Sequence, residues 1–210
     1  MAPQAAADSG DPRTARTRGK LRAALLAACG EQPLDRVSVS EIVRRAGVGR
    51  ATFYVHYEDL RALAVDACAE IVRQAVDALH AWDEAPPGPD APPGELAGLL
   101  GAVRDRAEVY RSLLNTGGGG PLGELLHEEL RARSVAELRL RRPSGTGQDV
   151  IAGAVAGLFT GVLADWVHER IDATPAQLAG SVWRMLIAVH STAASHGQGA
   201  QAGDRATPLR

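Results

Sequence analysis

The run VSVSEIVRRAGVGRATFYVHY (residues 37–57) sets two short apolar-patterned segments on either side of an Ala-Gly-Val. Ser38 and Glu41 have the spacing of a capping box, in which the serine hydroxyl accepts from an early helix amide while the glutamate reaches back. Val39, Ile42, Val43 and Ala46 then form the buried side of a helix of about two turns. Gly47 suits a positive-φ turn position, and Ala46 is small enough to let the next helix approach. A third, very short helix fits 49–55. Two short helices about a three-residue glycine turn make a helix-turn-helix.

The second of these helices is crowded with aromatics. The chain has three tyrosines and two phenylalanines, and Phe53, Tyr54 and Tyr57 fall within five positions. Val48 and Phe53 point inward as plugs of a small core. Arg50, Ala51, Thr52, Tyr54 and His56 lie away from that side, free to enter a DNA major groove. There an arginine grips guanine in a fork, and an alanine or threonine methyl touches thymine. Tyr54 and His56 have the reach for backbone phosphates, which fix register rather than sequence.

Outward from this run the pattern stays helical. Leu21, Leu25 and Ala28 mark a first helix over 13–29, stopped by Gly30 and Pro33. Asp59 caps a fourth, running through Leu63, Cys68, Ile71 and Val76 to about 81. Residues 84–94, EAPPGPDAPPG, cannot be helix. The helical period resumes over 95–115 and, after the glycine run 117–120, over 122–142. PSGTGQ (143–148) precedes helices over 148–171 and 175–195. Thr174, Pro175 and Gln177 supply the last with a cap, a first-turn proline and a box partner. Residues 1–12 read as a disordered arm and 197–210 as a flexible tail. The expectation is an all-α protein of about nine helices. Its division is a three-helix head over 13–60, with the helix-turn-helix at 38–57, and a helical body over 61–196.

Composition agrees. With 210 residues and 45% hydrophobic content, the chain can bury one or two ordinary cores. No apolar run approaches the ~18–20 residues of a membrane helix, and the N-terminus lacks a secretory apolar core. Both point to a cytoplasmic protein without a membrane partner. Cys29 and Cys68 lack metal-type spacing and read as buried free thiols. Net charge is −2, but residues 13–56 hold nine Lys or Arg against three Asp or Glu, a local +6 that leaves −8 for the remainder. A basic head on an acidic body is the charge pattern of a DNA-binding unit with a second task behind it.

Chemistry-bearing clusters are missing. There is no phosphate loop, nucleophile elbow or paired acid–base set, so an enzyme has no support and no cofactor is expected. His127-Glu128 lacks the second histidine of a zinc helix, and His168 and His190 read as satisfied or solvent-facing, so no metal is expected. Asp165, His168 and Glu169 share a face and read as a salt-linked surface. Gly153, Gly157 and Gly161 recur at i, i+4 and i+8. Each costs about 1 kcal/mol in a helix interior, so a stripe of three calls for close helix–helix contact. That contact lies either inside one subunit or between two.

At Val39, Ile42, Ala46, Gly47, Val48, Thr52, Phe53, Tyr54, His56, Tyr57, Leu60 and Leu63, behind a basic first helix, the chain resembles the TetR family of bacterial transcriptional regulators. The clear resemblance covers residues 13–70. It implies base reading by Ser40, Arg50, Ala51 and Thr52, with phosphate contacts from Ser38, Thr52, Tyr54 and His56. It also implies a cytoplasmic, nucleoid-associated homodimer on a palindromic operator, joined by the last two helices at the Gly153–Gly157–Gly161 stripe. The function it implies is a repressor released by a small-molecule effector held in the body. Tyr110, Arg111, Leu113 and Leu114 are similar to the body of one branch of the family. Arg106, Tyr110, Phe159 and Trp166 are candidate effector contacts, against the plain alternative that the aromatics are core and the arginine a surface group. Two positions depart from the pattern. Leu60 stands where relatives carry a phosphate-bracing lysine, for which Arg61 is a possible substitute, and Gly49 where a serine caps the recognition helix. These departures keep open a second function, a helical interaction module with weakened or lost DNA binding.

Overall fold

A computed structural model describes residues 12–80, 88–141 and 147–202, with side chains for 12–80, 88–140 and 147–189. Residues 1–11 of the expected arm, 84–87 of the expected loop, 143–146 of PSGTGQ and 203–210 of the expected tail lie outside the described residues. Among those described, nine α-helices occur and no strand.

The head begins with α1 (Pro12–Cys29), which places proline in its first turn, where the missing N–H costs nothing. Its Leu21, Ala24, Leu25, Ala28 and Cys29 are buried at helical spacing. A 3-10 turn (Leu34–Arg36) leads to α2 (Val39–Ala46), and α3 (Arg50–His56) follows. Ser38 accepts from the Glu41 amide at 3.2 Å, as expected of the cap. The return half of the box is not made. The Glu41 carboxylate accepts instead from Gln32 Nε2 and Arg45 Nε, at 2.9 and 3.0 Å, because these charge-assisted and tertiary partners compete for it. Gly47 takes φ +65°, its amide reaches back to Arg44, and the Val48 amide closes on the Val43 carbonyl at 3.0 Å. A left-handed glycine with these two bonds ends α2 and turns the chain into α3.

Helix α4 (Leu60–Leu79) starts where Asp59 accepts from the Ala62 amide at 2.8 Å. It packs on α1, on α5 (Gly94–Arg104) and on α7 (Gly120–Arg141). The expected single helix over 95–115 is two, α5 and α6 (Ala107–Leu113), with a turn at Asp105–Arg106. No glycine or proline marks that turn. One rod could not serve both sets of neighbours, since α5 packs on α4 and α9 whereas α6 packs on α1, α7 and α8. Helix α8 (Gln148–Val167) lies along α7 and stops four residues before the expected 171. There Glu169 adopts φ +61° and the Arg170 amide closes on the Asp165 carbonyl at 2.8 Å, a left-handed cap without glycine. Helix α9 (Pro175–Ala202) runs past the expected 195 and into the residues assigned to the tail. Its box is complete. The Gln177 amide donates to Thr174 Oγ1 at 3.3 Å, and Gln177 Oε1 accepts from the Thr174 amide at 2.9 Å.

By length and composition α8 is apolar enough to cross a membrane, contrary to the expectation that no such segment exists. Half of its most apolar stretch is buried, with Val155, Phe159, Leu163 and Trp166 in the interior, as in the central helix of a bundle. One continuous apolar core runs from Leu21, Ile42 and Phe53 through Leu63 and Cys68 to Leu126, Phe159 and Leu186.

Candidate nucleic-acid interface

The short α3 is held by one side chain. Phe53 is fully buried, with Tyr54 edge-on at 5.3 Å between ring centroids and Tyr57 at 5.9 Å. Anchoring the helix on Phe53 turns Arg50, Ala51 and Tyr54 outward and leaves Thr52 and His56 half-buried on its flanks. Ser38 and Ser40 are exposed on the adjoining start of α2. The expected contact residues therefore come to one surface. Of the expected plugs, Phe53 lies fully inside and Val48 in part, and Ala46 is buried on its helix as expected.

Arg50 is positioned before any ligand arrives. Its Nη1 donates to Ser40 Oγ at 3.3 Å and its Nη2 to the Tyr54 hydroxyl at 3.4 Å, with the guanidinium 5.8 Å from the Tyr54 ring centroid. These contacts are exposed and individually weak, but they restrict a flexible side chain to one region of the surface. Tyr54, expected as a phosphate contact, thus also braces the arginine.

The basic charge of the head divides into structural and free parts. Arg18 and Arg22 pair with Asp66, at 3.0 and 3.5 Å, and Arg45 pairs with Glu31 and Glu41. These contacts, the Glu31 and Glu41 hydrogen bonds foremost, push the Arg45 guanidinium pKa up, and the Arg45 hydrogen bond pulls Glu31 down. Arg16, Lys20, Arg44 and Arg50 are exposed and make no ion pair among the described residues. Arg44 was not among the expected contacts. Its place one helical turn after Ser40 was the available signal.

Tyr57 has a role that local pattern did not show. It is 5% exposed, and its hydroxyl donates to Asp66 Oδ2 at 2.5 Å while accepting from Arg18 Nε at 3.4 Å. Burial first, then the bond to Asp66, pushes its phenol up to about 12. This cluster ties α1, the end of α3 and α4 together, so the recognition helix is fixed to the frame behind it.

The two departures have clear structural settings. Gly49 precedes α3 without a side-chain cap, and Leu60 is partly buried against the core. Arg61, the possible substitute for the missing lysine, pairs with Glu124 of α7. Head and body also meet where Ser112 Oγ donates to the Cys29 and Gln32 carbonyls, at 2.9 and 3.3 Å. An open cleft of about 530 Å³ lies at that junction, walled by Leu34, Leu60, Arg61 and Asn115.

In the body, Tyr110 and Phe159 line a cavity with Ile71, Leu99, Val103 and Leu122, but only about 10 Å³ is empty, at most a single water. Arg106 and Trp166 are not brought to it. Arg106 is exposed at the start of α6, and Trp166 is buried with its indole N–H donating to the Ala173 carbonyl at 2.8 Å and Arg104 over its ring at 5.3 Å. Burial pushes the Tyr110 phenol up, against a smaller opposing effect of nearby Arg106. Gly153, Gly157 and Gly161 face away from the subunit interior. A Cβ at Gly153 or Gly161 would meet nothing within 4 Å, and one at Gly157 only His127 Cε1, at 4.0 Å. His168 Nε2 lies 2.8 Å from the Leu114 carbonyl, Asp165 pairs with Arg170 and Glu169 with Arg111, a salt-linked surface as expected. No metal-type cluster of His, Cys, Asp or Glu occurs among the described residues.

A recognition helix anchored by one aromatic, with a preset arginine on its outer face, defines a helix-turn-helix DNA-binding head. Residues 21–67 match the family model described as bacterial regulatory proteins, tetR family. Over 83% of this chain and 95% of that one, the fold is similar to that of a TetR transcriptional regulator from Streptococcus agalactiae, at 19% identity and TM-score 0.58. It is similar to NalD of Pseudomonas aeruginosa, the secondary repressor of the MexAB-OprM multidrug efflux pump, at 18% and 0.56 over 84% and 96%. AlkX of Dietzia sp., a TetR family repressor implicated in biodegradation of n-alkanes, gives 18% and 0.55 over 83% and 95%. No curated protein sequence matches the chain. Residues 21–67 thus carry a domain of the tetR type of bacterial regulatory proteins, and the chain around them shares the all-α fold of such regulators.

Proposed function

We propose that the protein is a cytoplasmic homodimeric repressor that binds a palindromic operator and leaves it when a small molecule enters the body. The observation that carries this is the preset Arg50, held between Ser40 and Tyr54 on a face that also bears Ala51, with Thr52 and His56 on its flanks and Ser38 beside it. An arginine held this way is suited to fork a guanine. The head is 13–60 and the effector and dimerisation body 61–196. The dimer seam is the outer face of α8 with α9, where Gly153, Gly157 and Gly161 leave room for a second subunit and Val150 and Met185 are exposed. Two heads are then carried to sites one DNA turn apart, about 34–36 Å. The effector displaces the apolar walls around Tyr110 and Phe159, since the closed cavity holds no more than water. Repressors among the structural relatives support the sign of the regulation.

The test is selection of full-length protein on a random duplex pool, followed by titration of Arg50→Ala on the enriched sequence. Loss of about 1–3 kcal/mol per half-site, with relaxed preference at one base pair, is expected. A pool with no enriched sequence favours the second function, an interaction module, for which the paired Arg61 and the apolar Leu60 are the supporting observations.

A further inference from the structure

The outer face of α3 has a half that neither the core nor the polar contacts account for. With 3.6 residues per turn, Arg50 and Tyr54 stack one turn apart, and so do Ala51 and Val55. The first pair is polar and mutually bonded, leaning on Ser40. The second is apolar, and Val55 is 78% exposed, against 49% for Tyr54 in the same turn. Val55 takes no part in the core around Phe53. A branched apolar side chain held out beside a preset arginine has one apolar counterpart in a major groove, the C5-methyl group of thymine.

We propose that Val55 is a specificity-determining residue, forming with Ala51 an apolar strip that packs on thymine methyl groups beside the base pair engaged by Arg50. This rests on the proposed operator binding. Residues one turn apart are separated by about 6 Å along the helix axis, which spans one to two base steps at about 3.4 Å each. The half-site therefore carries thymines at two nearby positions, one set by Ala51 and one by Val55.

The experiment uses the full chain and the duplex enriched from the random pool. Each thymidine in turn, in both half-sites together, is replaced by deoxyuridine, which lacks only the methyl group. Wild type loses about fourfold per half-site at the position under Val55, the worth of one buried methyl. Val55→Ala binds the thymine duplex more weakly by a similar factor and no longer distinguishes uracil there, while sensitivity at the Ala51 position persists. Because Val55 is exposed, the variant folds as the parent does. An unchanged pattern of uracil sensitivity in Val55→Ala, or no sensitive position at all, overturns the assignment while leaving operator binding intact. Failure to enrich any duplex overturns operator binding itself, and the assignment with it.

Discussion

Replacing Tyr57 by phenylalanine removes one oxygen from the cluster that joins α1, α3 and α4. That hydroxyl donates to Asp66 at 2.5 Å and accepts from Arg18 at 3.4 Å. A hydrogen bond to a charged partner contributes about 1.5–3 kcal/mol net. Asp66 keeps Arg18 at 3.0 Å and its side chain is 19% exposed, so water replaces part of what is lost. The expected destabilisation is therefore near the lower limit, about 1.5 kcal/mol, or roughly 3–6 °C in Tm for a chain of this size. Urea denaturation should show a lower midpoint at unchanged slope. A cycle with Asp66→Asn isolates the pair, and a coupling of about 1 kcal/mol is expected for groups in direct contact. Alkali supplies an independent check. The phenol, normally near 10, stands at about 12 in the folded chain. Between those values the folded state holds a proton that the unfolded state has released, so stability present below pH 10 is lost as the pH rises towards 12. Tyr57→Phe should lack that alkaline loss. Additivity of the two substitutions within about 0.3 kcal/mol would refute the coupling.

Gly157→Leu has open space around it in the subunit and should leave a helical, folded protein, but overpacking a seam costs about 1–3 kcal/mol. Light scattering should report a monomer, and an unchanged dimer would place the seam elsewhere. Leu60→Lys should steepen the salt dependence of DNA binding by about 0.9 in log–log slope per subunit. No change in slope would mean that another cation already sits at that phosphate. Gly49→Ser should add the missing cap to α3, since the residue already has extended backbone and a Cβ meets Thr52 at an ordinary 3.6 Å. A gain of a few tenths of a kcal/mol is expected in thermal denaturation. Cys29 and Cys68, whose thiols burial pushes up to about 11 and 12, should resist thiol reagents at neutral pH until the chain unfolds. Fast labelling of the native protein would contradict their burial.

What could be foreseen from sequence was local. Ser38, Asp59 and Thr174 cap their helices because a cap needs only its own next three residues. Gly47 turns left-handed because few other residues do so cheaply. The break at Asp105–Arg106 could not be foreseen, since the apolar period passes through Leu96, Leu100 and Val103 to Tyr110 and Leu113 while the cause lies in distant helices. Tyr57 was counted with the aromatics of the head, but its partners Asp66 and Arg18 are brought to it only by the fold. Of four expected effector contacts, Tyr110 and Phe159 face one cavity, while Trp166 is claimed by a backbone carbonyl. Glu41 had the right spacing for a box and a stronger partner in Arg45.

Helix α4 is shared property. Its Leu63 and Cys68 complete the floor under α1, and Val72 and Ala75, a turn or two on, wall the body cavity. A head cut at residue 60 would lose half its floor, and a body begun at 61 would expose the same side chains to water. The DNA-binding unit is thus not a cassette to be exchanged by splicing at the helix-turn-helix. Chimeras that graft this specificity onto another regulator should carry α4 at least through Cys68. Their success will then depend on whether the recipient's α7 accepts this helix, more than on any residue that touches DNA.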